Sequence, residues 1–132
     1  MASTQLKALI DSILLRDTFI ERFQLQGPDI DIGPKSAMSL SLLLHELATN
    51  ALKYGSLSVE DGRVDITWVI CGEEFELTWR EVGGPPAFAP LRKGFGSRLI
   101  SLGVNGSRKV DMDYGDTGIF ARFRASAASL NS

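Results

Sequence analysis

Apolar residues recur along this chain with two periods, and the change from one to the other divides it into elements. From Thr4 to Leu15, Leu6, Leu9, Ile10, Ile13 and Leu14 keep helical spacing behind Ser3, a residue suited to cap a helix start. Phe19 to Leu25 and Asp29 to Ile32 are short and β-like, with a turn signal at Gln26, Gly27 and Pro28, so a small hairpin is expected. Pro34 is placed to open a long helix that runs to Tyr54 and stops at Gly55, a residue that tolerates positive φ. On that helix Leu44, Leu47, Ala48, Ala51 and Leu52 gather on one face, while Glu46, Asn50 and Lys53 fall at i, i+4 and i+7 on the other.

Beyond a polar loop containing Asp61 and Gly62 the period becomes two. Val64, Ile66, Trp68 and Ile70 alternate, and Phe75, Leu77 and Trp79 repeat the pattern after Gly72, which predicts a long antiparallel hairpin with one face to be covered. The apolar back of the central helix is the natural cover. Glu81 to Pro90 is a glycine and proline segment that suits neither helix nor strand. Gly94 and Gly96 precede a short helix, and strand-like runs follow at Lys109 to Tyr114 and Ile119 to Phe123, joined by a turn at Gly115 to Gly118. The fold expected is an α/β two-layer sandwich: a mixed, mostly antiparallel sheet of five or six strands with helices on one face. Residues 1–125 are expected to form one domain, and 126–132 a disordered tail.

The composition narrows the function. At 132 residues the chain suits one domain, and its 44% hydrophobic and 23% charged residues are those of a globular protein. A formal net charge of -2 argues against nucleic-acid binding, and no apolar run approaches the roughly 20 residues of a membrane span. With no signal peptide, a cytoplasmic location is expected. One cysteine, Cys71, and one histidine, His45, rule out an internal disulfide and a Cys/His zinc site.

Three stretches carry candidate chemistry. The helix stripe offers an amide oxygen for a hard cation from Asn50, a proton acceptor at Glu46 and an ammonium for phosphate at Lys53, although exposed helix faces also carry Glu and Lys at this spacing. Gly94, Phe95 and Gly96 ahead of a helix suit phosphate binding by free backbone N–H groups; a purely steric turn gives the same pattern, and the Walker P-loop is absent. Gly83 and Gly84, with Pro85 and Pro86, form a rigid turn or a site of close backbone approach. Glu81, just before them, is a carboxylate that could accept a hydrogen bond from a purine amino group.

Taken in order, HELATNALKYG, WREVGGPP and GFGSRLI resemble the ATP-binding catalytic domain of HWE sensor histidine kinases, a branch of the GHKL or Bergerat-fold ATPases; His45, Trp79 and Glu81 match the residues that name the branch. The resemblance runs from about Leu6 to Phe123. It implies that Asn50 ligates Mg²⁺ between the phosphates of ATP, and that Glu46 is the general base or orients the acceptor. Lys53 would contact phosphate, Tyr54 would lie against the nucleotide, and Glu81 would read the adenine amino group where most relatives have Asp. Gly83 would let the backbone approach the base, and Gly94, Gly96 and Ser97 would belong to the lid and phosphate side. His45 would support the site through a hydrogen bond; a buried, satisfied histidine is the alternative. The lid is short, and Ile119 follows Gly118 where many relatives have Thr after Gly, leaving the role of Thr117 open.

The implied activity is transfer of the γ-phosphate of Mg·ATP to a histidine on a separate dimerisation hairpin, in cis or trans, with a response regulator downstream. The chain has no room for that hairpin. Two alternatives use the same ATP site: a stand-alone serine kinase of the anti-sigma type, and a non-catalytic nucleotide-binding docking module.

Overall fold

A computed structural model describes residues 4–14, 22–89 and 95–132. The chain runs β1 (Thr4–Gln5), α1 (Leu6–Leu14), β2 (Phe23–Gln26), β3 (Asp31–Ile32), α2 (Pro34–Lys53), β4 (Arg63–Cys71), β5 (Glu74–Val82), α3 (Phe95–Leu102), β6 (Lys109–Gly115) and β7 (Gly118–Ser126). Short 3₁₀ turns occupy Ser56–Ser58, Val104–Gly106 and Ala127–Asn131. Five strands make one sheet in the order β2-β4-β5-β7-β6, antiparallel except for the parallel β2–β4 pair. The mixed, mostly antiparallel sandwich expected from the periodicity is what the chain forms.

Alternation decides which side of the sheet is covered. Val64, Ile66 and Trp68 of β4, Phe75, Leu77 and Trp79 of β5, and Ala121, Phe123 and Ala125 of β7 are buried on one face. Against them lie Leu6, Ile10 and Leu14 of α1 and the apolar face of α2, from Leu40 to Ala51, in a single cluster. The opposite face carries Arg124 beside Glu76 and Asp111, each at 3.3 Å, half-exposed pairs of the kind that add little stability. Among the described residues no helix is long and apolar enough to cross a membrane.

Three local expectations are corrected. The small hairpin does not form: Phe23–Gln26 joins β4 in parallel, whereas Asp31 and Ile32 pair with Gln5 and Thr4 in a separate two-stranded sheet. The segment between them runs on past Trp68 at the surface instead of turning back. Trp68 Nε1 donates to the Pro28 carbonyl at 2.8 Å, and a Cβ on Gly27 would stand 2.3 Å from the Trp68 ring. Phe19 lies outside the described residues. Gly55 ends the central helix for a different reason from the one expected, because its φ is -109° and no positive φ is involved.

The C-terminal residues are not a loose tail. The Gly33 N–H donates to the Leu130 carbonyl at 2.8 Å and the Ser36 N–H to the Ser132 carbonyl at 3.0 Å, satisfying donors at the start of α2 that lack partners within the helix. Ser36 Oγ donates to the Ser129 carbonyl and accepts from Asn105 Nδ2, and Leu130 is 1% exposed. Leu130→Ala is therefore expected to lower unfolding free energy by about 2–4 kcal/mol in urea denaturation. An unchanged midpoint would mean that the segment is frayed after all.

Candidate functional site

Between the C-terminal end of α2, α3 and the β6–β7 end of the sheet lies a cleft of about 940 Å³. Its walls are mainly apolar, with Ile100, Val110, Met112 and Ile119 on one side and Pro86 to Ala89 on the other. Asn50, Glu81, Ser97, Ser101 and Arg108 bring polar groups into it, and Tyr54, Phe88 and Tyr114 bring aromatic ones. An apolar cleft of this size with a few convergent polar groups suits a nucleotide-sized ligand.

Glu81 is the unusual residue on this wall. It continues the inward series Phe75, Leu77, Trp79 on β5, so the strand's alternation places a carboxylate where a hydrophobic residue would be expected. It is 5% exposed. Oε1 accepts the Ser56 N–H at 3.0 Å and Oε2 accepts the Trp79 indole N–H at 3.0 Å. Burial pushes its pKa above the ordinary carboxylate value; the hydrogen bonds from Trp79, Ser56 and the Ile119 backbone pull the other way.

The surroundings leave no space for other side chains. A Cβ on Gly55 would stand 2.1 Å from Glu81 Oε1, and one on Gly118 would stand 2.5 Å from the Glu81 Cβ. Glycine follows α2 because the carboxylate occupies the place of a side chain. The Ser56 N–H is held in position by a residue that sequence reasoning missed. Arg22 donates from Nε to the Gly62 carbonyl at 2.6 Å and from Nη2 to the Ser56 carbonyl at 3.1 Å, with further bonds to the carbonyls of Leu57 and Val59. One guanidinium thus ties down the loop after α2, a use of its five donors that no local sequence pattern signals.

The expected site residues separate into groups. Asn50, Tyr54, Glu81 and Ser97 line the cleft together. Lys53 is exposed and does not line it, and Glu46, half-buried one turn before Asn50, also lies outside the lining. His45 is exposed, which rules out a buried, satisfied histidine, and its side chain makes no hydrogen bond to another described residue. Gly83, at φ +77°, makes the turn out of β5 without lining the cleft. Gly84 passes so near the loop that a Cβ would stand 2.4 Å from the Ser56 Cα, and its N–H donates to the Thr117 carbonyl at 2.8 Å. Thr117 therefore holds the segment by its backbone. Gly96 lies in the first turn of α3, and Gly94 lies outside the described residues.

Arg108 and Phe88 are among the lining residues that had no role in the sequence reading. Arg108 is the one cationic side chain that lines the cleft among the described residues, and it sits at φ 60°, a strained conformation for a residue with a Cβ. Phe88 is 81% exposed beside the cleft, and Tyr54 is 74% exposed. A phenylalanine within a run of proline and alanine was the available signal for the first of these.

The likeness to known proteins agrees with this geometry. No family model matches the chain. It is 42% identical over 113 residues to blue-light-activated histidine kinase 1 of Erythrobacter litoralis, a match covering 81% of this chain and 31% of that protein. It is 40% identical over 108 residues to a blue-light-activated histidine kinase of Brucella ovis, covering 77% and 22% respectively. The chain thus spans less than a third of these relatives. Among solved structures, the histidine kinase domain of an Erythrobacter litoralis blue-light-activated kinase superposes with a TM-score of 0.68 over 95% of this chain and 60% of that one, at 18% identity. The catalytic domain of histidine kinase ThkA gives 0.67 over 96% of this chain and 97% of its own, at 17% identity. The chain is thus similar in sequence to a stretch of these histidine kinases and in fold to histidine-kinase catalytic domains.

The buried carboxylate has a consequence for stability. Folding raises the Glu81 pKa, so the folded state binds its proton more tightly than the unfolded chain does. The resulting stabilisation is complete below the ordinary value of 4.5 and is lost as pH rises through the raised value. Wild-type stability, measured against Glu81→Gln by urea melts from about pH 4 to pH 8, is expected to fall with rising pH. A constant difference across that range would show that Glu81 is solvated.

Proposed function

We propose that this domain binds Mg·ATP in the cleft and donates the γ-phosphate to a histidine on a dimerisation hairpin, in cis or in trans, as part of an HWE-branch sensor kinase with a response regulator downstream. The observation that carries this reading is the placement of Asn50 and a buried, hydrogen-bonded Glu81 in one apolar cleft. Glu81 offers acceptor lone pairs to the adenine amino group. Tyr54 and Phe88 offer exposed rings to the base or sugar, and Ser97, Ser101 and Arg108 offer donors to the phosphates.

The residues present fit a magnesium ion in a limited way. Asn50 supplies one amide oxygen, and Mg²⁺ commonly takes only one or two protein ligands, filling its octahedron with phosphate oxygens and water. The ion, when bound, would neutralise charge on the transferring phosphoryl group. The acceptor imidazole nitrogen would form its bond to the γ-phosphorus as the bond to the departing ADP oxygen breaks. Glu46, one turn from Asn50 on α2, would take the imidazole proton or orient the ring, with His45 supporting the site on the same turn. Lys53 would reach phosphate only by swinging from its exposed position, so Arg108 is the better placed cation.

Calorimetric titration with ATP, with and without Mg²⁺, tests the site. Binding is expected to require the metal and to disappear in Asn50→Ala; unchanged affinity in that variant would sink the assignment. Glu81→Ala is expected to lose about 1.5–3 kcal/mol, the worth of a hydrogen bond to a charged group, and to weaken the preference for ATP over GTP. Acid-labile phosphate on a supplied hairpin would support transfer to histidine. An acid-stable phosphoserine would point to a serine kinase, and binding without transfer would point to a docking module.

A further inference from the structure

Trp79 and Glu81 stand two residues apart on β5, so both point to the covered face and their side chains meet below the cleft. Trp79 is 0% exposed. Its ring is fixed by edge-on contact with Phe23, at 6.1 Å between centroids, and by the small Ala121 opposite it on β7. From that position the indole N–H reaches Glu81 Oε2 at 3.0 Å. The other tryptophan, Trp68, donates to a backbone carbonyl and has no part in the cleft.

We infer that Trp79 is the positioning residue of the base-reading carboxylate: its indole N–H holds Glu81 in the acceptor-only state and in the rotamer that distinguish adenine from guanine. This rests on the nucleotide reading above. A carboxylate has about four acceptor positions, and what Trp79, Ser56 and Ile119 leave free can receive an exocyclic amino group. A protonated carboxyl behaves differently, because its O–H can donate to a carbonyl oxygen such as that of guanine. A buried carboxyl tends toward that form, and each donor aimed at it opposes the tendency. Among the described residues the indole is the one side-chain donor to Glu81, and it belongs to a residue that does not line the cleft.

Burial accounts for the upward direction of the Glu81 shift, and the hydrogen bonds from Trp79, Ser56 and Ile119 oppose it. The ionisable side chains on the surrounding elements are Tyr54 at the end of α2, Glu60 and Asp61 in the exposed loop, and Arg108 and Tyr114 across the cleft.

The test compares ADP and GDP affinities in wild type, Trp79→Phe, Glu81→Ala and the double variant. Trp79→Phe keeps an aromatic ring and removes the N–H. It is expected to weaken ADP binding about tenfold at neutral pH while leaving GDP within about twofold, and to do nothing further in the Glu81→Ala background. An equal loss with Glu81 absent would reveal a packing effect and overturn the inference. Wild-type protein that binds no adenine nucleotide would overturn the reading of the cleft together with this inference.

Nitrogen-15 spectra of the unmodified chain add a readout that does not depend on Trp79→Phe folding. Of the two indole N–H signals, Trp79's is expected to titrate with Glu81, to lose that titration in Glu81→Gln and to shift on adding ADP. Trp68's is expected to stay still. Two signals that both ignore pH, or that move together, would overturn the coupling even if the cleft binds ADP.

Discussion

A carboxylate buried in an apolar wall is stable only if its surroundings supply donors, and much of this molecule is arranged around supplying them to Glu81. The donors come from three separated parts of the chain: the Ser56 backbone after α2, the Trp79 indole on the same strand and the Ile119 backbone on β7. Bringing them together requires α2 to end where it does, β5 to pair with β7 in the observed register and the loop at Ser56 to fold back over the sheet. The glycines at 55 and 118 follow from the same requirement, since neither position has space for a Cβ. A residue that would destabilise the core alone thus becomes the group that fixes how three segments meet.

The loop between α2 and β4 shows how this dependence spreads outward. Ser56 can present its N–H only if the turn around it is held, and the turn has few apolar side chains of its own. Arg22 supplies the hold by satisfying carbonyls from Ser56 to Gly62, including those at the crowded place where a Cβ on Gly62 would stand 1.7 Å from the Ser56 oxygen. Gly84 then packs onto Ser56 and is tied to Thr117. The cleft wall from Pro86 to Ala89 is therefore continuous, through backbone contacts, with the floor on which Glu81 sits.

What was legible in the sequence was what local periodicity determines. The apolar face of α2, the β4–β5 hairpin and the β6–β7 pair all follow from spacing within one or two elements. Long-range pairing was not legible. The turn signal at Gln26 to Pro28 is real, but whether a chain turns back or runs on depends on a partner far along the sequence, here β4 and Trp68. The docking of Leu130 under α2 is of the same kind: a small, polar terminus reads as frayed until a helix start needs acceptors. Arg22 and Arg108 were missed because a single arginine has no spacing to betray it.

The central helix carries the last step of the argument. At 3.6 residues per turn, Glu46 set at 0° puts Asn50 near 40°, Tyr54 near 80° and Lys53 about 20° the other way. The core-facing Leu47 and Ala51 lie at roughly 100° and 140°. The cleft receives only Asn50 and Tyr54, the members nearest the apolar side, because it opens along the border between the polar stripe and the core. A stripe of polar residues therefore overstates the site: adjacency on a helical wheel groups side chains by angle, whereas a cleft selects a window of angle and height together. The same window leaves the exposed side chains of His45 and Lys53 outside the cleft lining. Under the proposed function, a nucleotide held within and an acceptor met at the surface call on both sets, and α2 presents them on adjoining sides of one helix.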